Sequence, residues 1–168
     1  TYGAIHILFN NAGGGGGGKF PTETNEQWNR VININLNGTF YVSRAVWPHL
    51  VEAGGGAVVN MSSLAAQRGF SPRMYDEFGA TAPSYYAAKA GVDALTRYMA
   101  GVGGNHNIRI NCVRPGQIMT PGATRGTLKD PDGGHHVFRV GEQDGSITPR
   151  TEKIAALLDC IDGSYATD

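Results

Sequence analysis

The alternation of short apolar runs with longer amphipathic segments constrains the fold of this chain more than any other feature of its sequence. Residues 5–9, 57–61 and 108–113 have the length and apolar character of buried strands. Helical spacing of apolar residues fills the two intervals between them and returns at residues 152–158. This order of elements typically builds a parallel sheet with helices packed on it. We therefore predict an α/β fold, in one domain that spans residues 1–168.

Two helices are predicted in detail. Thr24, followed three residues later by Gln27, forms a capping box at the start of the first helix, and three glycines at residues 54–56 end it. The second helix is predicted to begin with Ser84 as its cap and to end before Gly101. The apolar seam of the first helix is expected to contain Trp28, Val31, Ile32, Thr39, Val42, Val46 and Leu50.

Polar or turn-forming pairs follow each predicted strand at its carboxyl end. These pairs are Asn10-Asn11, Ser62-Ser63 and Pro115-Gly116. In open parallel sheets, ligands bind outside the carboxyl ends of the strands. We therefore expect the three pairs to lie along one edge of the sheet. Residues 119–150, rich in Gly, Pro, Thr and charged residues, are predicted to form a long loop or substrate lid.

Tyr85 and Lys89 are four residues apart on the second predicted helix and so lie one turn from each other. A tyrosine ordinarily has a pKa near 10, which makes it a weak acid/base catalyst at neutral pH. A lysine charge about 5 Å away, at an effective dielectric of about 20, favours a phenolate by roughly 3 kcal/mol. The spacing alone is common, so a partly buried tyrosine near a solvated lysine is the simpler interpretation. Tyr86, three residues before Lys89, is a rival for the phenol role.

Asn35 and Ser63 add an amide and a hydroxyl to this edge. Asn35 stands on the predicted apolar seam, where a buried amide indicates a helix irregularity, a bound water or a bond to a neighbouring carbonyl. Ser63 by itself is better interpreted as a cap or turn residue, and Ser62 is the weaker candidate. An amide, a hydroxyl, a phenol and an ammonium at one sheet edge together indicate a proton-transfer site.

Composition narrows the class of protein. Fourteen basic residues balance fourteen acidic ones, and no basic stripe marks a nucleic-acid footprint. No apolar run approaches the roughly 18 residues needed to cross a membrane. Cys112 and Cys160 lie in apolar segments without metal-ligand spacing around them, so we expect no metal and a reduced, cytoplasmic setting.

Residues 13–18 are six consecutive glycines followed by Lys19, which nearly completes a phosphate-binding loop. Phe20 stands where that loop needs a serine or threonine for magnesium, so this interpretation fails. We predict a flexible loop, for which a position on the substrate side is one option. His135-His136 lies in a glycine-rich segment without a third ligand, and we predict a solvated loop there too.

Taken in order, these motifs resemble those of the short-chain dehydrogenase/reductase family. The five matching segments are N-N-A-G at 10–13, I-N-L-N-G-T-F at 34–40, V-N-M-S-S at 59–63, Y-x-x-x-K-A-G at 85–91 and I-R-I-N-C-V-R-P-G-Q-I-M-T at 108–120. The resemblance implies a Rossmann-like, doubly wound, three-layer sheet that lacks its first βαβ portion. It also implies an NAD(P)-dependent oxidoreductase that interconverts a secondary alcohol and a carbonyl, with a small-molecule substrate.

The resemblance implies roles for the matching residues. Tyr85 would exchange a proton with the substrate oxygen, and Lys89 would favour its ionised form and hold the nicotinamide ribose. Ser63 would hydrogen-bond the substrate oxygen, and Asn35 would hold a water that relays protons to Lys89. In the family, the helices at residues 28–50 and 85–99 usually pack against partner subunits, which implies a homodimer or homotetramer. The residues implied to bind NAD or NADP are Asn10, Asn11, Ala12, Gly13, Tyr85, Lys89, Pro115, Gly116, Ile118 and Thr120.

The chain departs from the family in three ways. The glycine-rich turn that grips the cofactor pyrophosphate is missing, together with the elements that carry it. Ser63 and Tyr85 are 22 residues apart, more than is usual, which indicates a loop inserted at residues 72–82. The chain also stops at Asp168, before a last strand. Because it begins at Thr1 without Met, we expect an N-terminally truncated fragment that exposes the apolar edge of its first strand. A catalytically silent relative that acts as a binding module is the alternative.

Overall fold

The computed structural model describes residues 3–69 and 82–116, together with Pro72. Residues 119–150 and 152–158, with Ile118, Thr120, Cys160 and His135-His136, lie outside the described residues, as does most of the 72–82 segment. In chain order the elements are β1 (Ile7–Asn10), α1 (Asn25–Ile32), a π-helical segment (Asn33–Asn37), α2 (Gly38–Glu52), β2 (Gly56–Met61), a 3-10 turn (Leu64–Ala66), α3 (Pro83–Gly103), a second 3-10 turn (Gly104–His106) and β3 (Ile108–Val113).

The three strands form one parallel sheet in the order β1-β2-β3. Leu8, Val58 and Ile110 are cross-strand neighbours, and two residues further along so are Asn10 and Asn60. Long helical connections join strands of the same direction, as parallel pairing requires. The predicted α/β arrangement is confirmed, as an incomplete Rossmann-like fold.

The core lies between this sheet and helices α2 and α3. Leu50 of α2 and Met99 of α3 pack with three strand residues into one buried cluster. Alternate residues of a strand point to the same face, so both helices cover the face that carries these side chains. The strand residues of the cluster are Val58, Ile108 and Ile110, and Leu8, Val46, Trp47, Leu95 and Ala100 extend it.

β1 differs from the buried strand that its apolar run predicts. Ile7 is 73% exposed and Phe9 is 53% exposed, whereas Asn10 is buried. Among the described residues only β2 pairs with β1. Because α2 and α3 cover the opposite face, Ile7 and Phe9 have no helix over them in this part of the chain. β1 is thus an edge strand of the described sheet with exposed apolar side chains.

The first predicted helix is one continuous helix with a π-helical segment in its middle. Four of its buried residues are spaced by four, at Val31, Asn35, Thr39 and Ser43. A π turn holds more residues than the 3.6 of an α turn, so it advances the buried face along the sequence. The predicted seam is therefore wrong at Val42, which is 46% exposed. It is also wrong at Trp28, near the start of the helix, which is 39% exposed.

The predicted N-terminus of α1 agrees with the structure, whereas that of α3 does not. The capping box of Thr24 and Gln27 is confirmed. Ser84, predicted as the cap of the second helix, is instead its second residue, because Pro83 occupies the first position and Ala82 the cap. Proline suits that position since its missing N–H needs no partner there. The helix also continues to Gly103, beyond the predicted end.

Candidate active site

The three polar or turn-forming pairs expected at the carboxyl ends of the strands do lie along one edge of the sheet. The Ser62 N–H donates to the Val113 carbonyl at 2.8 Å, and the Leu64 N–H donates to the Pro115 carbonyl at 3.0 Å. On the other side, Nδ2 of Asn10 donates to Oδ1 of Asn60 at 2.8 Å. The ends of all three strands are thus joined by hydrogen bonds.

Lys89 is buried at this edge, contrary to the simpler interpretation of a solvated lysine. The residue is 4% exposed, and its Nζ donates to the Met61 carbonyl at 2.8 Å. Burial lowers the pKa of the Lys89 ammonium from its ordinary value, because it disfavours the charged form. Nζ lies 5.6 Å from the ring centroid of Tyr85, which is half-buried. The structure therefore brings the phenol and the ammonium together.

Asn35 lies in the π-helical segment and is 1% exposed. Its Nδ2 donates to the Val31 carbonyl at 2.9 Å and to the Gly14 carbonyl at 2.8 Å, while Oδ1 accepts from the Gly14 N–H at 3.2 Å. Two of the alternatives for this amide, a helix irregularity and a bond to a neighbouring carbonyl, are thus both observed. An added Cβ at Gly13 would lie 2.7 Å from Asn35 Oδ1 and 3.5 Å from Lys89 Nζ. Gly13, Asn35 and Lys89 therefore converge.

The two serines after β2 differ in their surroundings. Ser62 is 2% exposed, and its Oγ donates to Asp93 at 2.5 Å, which ties it to α3. Ser63 is half-buried, and its Oγ accepts from the Ala65 N–H at 3.2 Å, so it caps the 3-10 turn. A hydroxyl that accepts one bond keeps its proton to donate. Ser63 combines the cap role with a hydroxyl that can still serve a ligand.

Asn10 lies inside the protein, apart from the exposed residues that follow it. Its Nδ2 donates to Ser43 Oγ and to Asn60 Oδ1, both at 2.8 Å, and Asn60 in turn donates to Thr96 Oγ1 at 2.9 Å. This buried chain links α2 to α3 through the sheet. Asn11, Ala12 and Gly13 are exposed beyond the end of β1, and Pro115 and Gly116 follow β3 on the same edge.

Two acidic residues beside the site were missed from the sequence. Asp93 is 4% exposed and accepts from Ser62 and, at 2.6 Å, from Nε of Arg114. Its position one turn beyond Lys89 was the available signal. Glu23 contacts Ser84, which is 61 residues away in the chain, and nothing local in the sequence marks this contact.

The part of the chain that the structure describes offers neither a metal site nor a membrane span. No group of three or more His, Cys, Asp or Glu side chains there could hold a metal ion. None of the described helices is both long and apolar enough to span a bilayer.

Comparisons with known sequences find similar proteins. The chain matches the short chain dehydrogenase family over residues 1–130. It is 35% identical to a cyclohexanol dehydrogenase of Acinetobacter sp. (strain SE19), over 99% of this chain and 61% of that protein. It is 38% identical to a 3-oxoacyl-[acyl-carrier-protein] reductase of Thermotoga maritima, over 71% of this chain and 45% of that protein. The chain thus spans about half the length of these relatives.

Solved structures of a dehydrogenase and a reductase are similar to this chain. A 7α-hydroxysteroid dehydrogenase complexed with NADH and 7-oxo glycochenodeoxycholic acid matches with a TM-score of 0.65 and 32% identity, over 77% of this chain and 46% of that one. Levodione reductase matches with a TM-score of 0.64 and 34% identity, over 74% of this chain and 45% of that one.

Proposed function

Because this chain belongs to the short-chain dehydrogenase family, we propose that the full-length protein is an NAD(P)-dependent oxidoreductase that interconverts a secondary alcohol and a carbonyl compound. The convergence of the Tyr85 phenol, the buried Lys89 ammonium and the Asn35 amide at one sheet edge carries the proposal. The relatives are named as dehydrogenases and reductases, which supports the reaction class.

Tyr85 is the acid/base group in this proposal. In reduction its phenol donates a proton to the carbonyl oxygen of the substrate, and in oxidation the phenolate takes that proton back. Tyr85 is half-buried, so a substrate oxygen can reach it, and the Lys89 ammonium one turn away stabilises the phenolate. The Ser63 hydroxyl, which keeps its proton, donates to the same substrate oxygen and orients it. A bound NAD or NADP supplies or accepts the hydride.

The residues at this edge suit the nicotinamide half of such a cofactor. An ammonium has three N–H donors, and the Met61 carbonyl takes one from Lys89, which leaves donors for ribose hydroxyls. The Pro115-Gly116 turn after β3 would lie beneath the nicotinamide ring, and the exposed residues Asn11, Ala12 and Gly13 after β1 would line the adenosine side of the cofactor. Asn10 contributes through its backbone in this proposal, since its amide hydrogens bond inside the protein. Ile118 and Thr120, proposed for the nicotinamide amide, lie outside the described residues.

Asn35 has a narrower role than the sequence implied. Both Nδ2 hydrogens donate to backbone carbonyls, and Oδ1 accepts one bond from Gly14. A carbonyl oxygen has two lone pairs, so Oδ1 keeps one for the water that would relay protons to Lys89. The amide therefore holds the water as an acceptor.

A second copy of the chain is the proposed partner. The outer surface of α2 and α3 forms an apolar groove of about 260 Å³, in which Phe40 is 41% exposed, Tyr98 71% and Val102 40%. Exposed apolar patches of this kind mark protein–protein contacts. A homodimer or a homotetramer built on this groove would bury these three side chains.

The Tyr85→Phe substitution in the full-length protein tests the proposed function. It removes the exchangeable proton and keeps the ring, so kcat should fall about 100- to 10,000-fold, the range of general acid/base catalysis. Alcohol oxidation and ketone reduction are measured with NAD and with NADP. In the matched control, Tyr86→Phe, kcat should stay within about threefold of the value for the unaltered protein. Full turnover by Tyr85→Phe would refute the assignment, and cofactor binding without any turnover by the unaltered protein would favour the binding module.

A further inference from the structure

We propose that Glu23 is a positioning residue of the active site, which fastens the glycine run (residues 13–18) to the N-terminus of α3. Helix α3 carries both Tyr85 and Lys89. The catalytic consequence rests on the proposed function, whereas the contacts that support it are independent of any activity.

Helix α3 receives no side-chain cap from its own N-cap residue. Its N-cap residue, Ala82, has no side-chain acceptor, and Pro83 has no N–H. The Ser84 N–H therefore needs a partner from elsewhere, and Glu23 Oε2 accepts it at 3.2 Å. The Ser84 hydroxyl donates to Oε1 of the same carboxylate. The helix dipole also favours a negative charge at a helix N-terminus. The Glu23 carboxylate supplies this charge at Ser84, the residue that precedes Tyr85.

The same carboxylate holds the glycine run. Oε1 of Glu23 accepts from the Gly18 N–H at 3.2 Å. At Gly17 an added Cβ would lie 2.6 Å from the Ala82 Cβ and 2.8 Å from the Ser84 Oγ, so only glycine fits without a shift. An added Cβ at Gly15, in contrast, would meet nothing within 4 Å. The run is therefore packed against the start of α3 at one position and open at another.

Two further contacts hold the run along its length. Asn35 bonds both backbone groups of Gly14, and the Arg30 guanidinium donates to the Gly16 carbonyl. Where the sequence predicted a flexible loop, the run thus forms hydrogen bonds at several positions. It is a strap between Asn35 at one end and the first turn of α3 at the other, and Glu23 closes the second end.

The proposal makes the geometry of Tyr85 depend on Glu23. Lys89 lies one turn deeper in α3 and has its own anchor on the Met61 carbonyl, so loss of the cap should disturb Tyr85 more than Lys89. A misplacement of about 1 Å at a reacting group can cost about 100-fold in rate. Loss of Glu23 should therefore lower kcat and leave the KM for the cofactor nearly unchanged.

The test compares Glu23→Gln with Glu52→Gln, an exposed glutamate in the last turn of α2, in the full-length protein. Glutamine keeps one acceptor oxygen but places an NH₂ group where a donor already points. We expect kcat to fall about 10- to 100-fold, with the KM for NAD(P) within about twofold. Peptide-level hydrogen exchange should speed up in residues 13–18 and 83–89. The Glu52→Gln control should change none of these quantities.

A second pair probes the junction from the side of the strap, in case Glu23→Gln does not fold. Gly17→Ala should reproduce the loss of kcat and the faster exchange, whereas Gly15→Ala should behave as the unaltered protein. A wild-type kcat in Glu23→Gln or Gly17→Ala, even with a lower melting temperature, would show a merely structural contact and overturn the proposal. If the unaltered protein has no turnover, the proposed function fails, and hydrogen exchange alone then tests the contact. Unchanged hydrogen exchange in residues 13–18 and 83–89 of Glu23→Gln would show that Glu23 does not fasten the glycine run to α3.

Discussion

At the scale of single residues, Lys89 combines two opposing requirements. Its ammonium has to be charged to stabilise the phenolate of Tyr85, yet it is 4% exposed, and burial disfavours the charged form. The Met61 carbonyl offsets part of this cost with a hydrogen bond at 2.8 Å. The position therefore serves the proposed chemistry at the expense of stability.

Lys89→Met should raise the free energy of unfolding near pH 7, because the methionine side chain fills a similar volume without a charge to desolvate. The burial cost is fully present below the lowered pKa of Lys89. Between that pKa and 10.5, its ordinary value, the unfolded chain binds more protons than the folded one, so wild-type stability rises with pH. The advantage of Lys89→Met should therefore shrink as the pH approaches 10.5.

Urea denaturation of both proteins at pH 7 and again near pH 10, without cofactor, measures this difference. Lys19→Met serves as the control, since Lys19 is exposed and its replacement should give a small difference at either pH. If the free energies of unfolding of Lys89→Met and the unaltered protein differed by the same amount at both pH values, desolvation of the Lys89 ammonium would not be the cause of the difference.

At the scale of elements, Asp93 joins α3 to the turn after β3. Its carboxylate accepts from Ser62 Oγ at 2.5 Å and from Arg114 Nε at 2.6 Å, and Arg114 directly precedes Pro115. The ion pair is only partly shielded, since the Arg114 side chain is 32% exposed. It nonetheless connects the helix of Lys89 to the Pro115-Gly116 turn, which we propose as part of the cofactor site.

Asp93→Ala should lower the free energy of unfolding by about 2 kcal/mol, because the buried Ser62 hydroxyl and the Arg114 guanidinium lose a charged acceptor. Chemical denaturation of the full-length protein gives the value. Ala94→Ser, on the exposed side of the same helix, should stay within about 0.5 kcal/mol of the unaltered protein. Equal stabilities of the two variants would show that the carboxylate contributes nothing.

The predictions from sequence succeeded for elements where the determinants are local. The Thr24–Gln27 capping box and the strand at residues 108–113 depend on neighbours within a few positions, and both are confirmed. The predicted start of α3 was wrong although Pro83, which occupies the first position, was a local signal for it. The Glu23 carboxylate that accepts from the Ser84 N–H, in contrast, is 61 residues away. No periodicity in the sequence reports a contact across that distance.

At the scale of the whole molecule, the groove between α2 and α3 is an apolar surface that this chain exposes among the described residues. Tyr98 is 71% exposed beside it, and the Arg44 guanidinium lies 5.3 Å from the ring centroid of Phe40. An aromatic side chain in such a position typically anchors a protein–protein contact.

Tyr98→Glu should weaken the proposed homodimer by about 2 kcal/mol or more, roughly 30-fold in its dissociation constant, because it would bury a charge in an apolar contact. Analytical ultracentrifugation over a range of concentrations measures the shift towards monomer. Gln67→Glu adds the same charge at an exposed position outside the groove and should leave association unchanged. A dimer of undiminished stability in Tyr98→Glu would place the contact elsewhere.

By itself the sequence determined the order of strands and helices, their parallel pairing and the meeting of Ser62-Ser63 with Pro115-Gly116 at one sheet edge. These features follow from local hydrophobic period and turn chemistry, which act over a few residues. Only the tertiary structure decided that Lys89 is buried, that Asn35 sits in a π turn bonded to Gly14 and that Glu23 caps α3. Each of these depends on which distant segments pack together, because burial and long-range hydrogen bonds exist only once the helices and the glycine run have docked on the sheet.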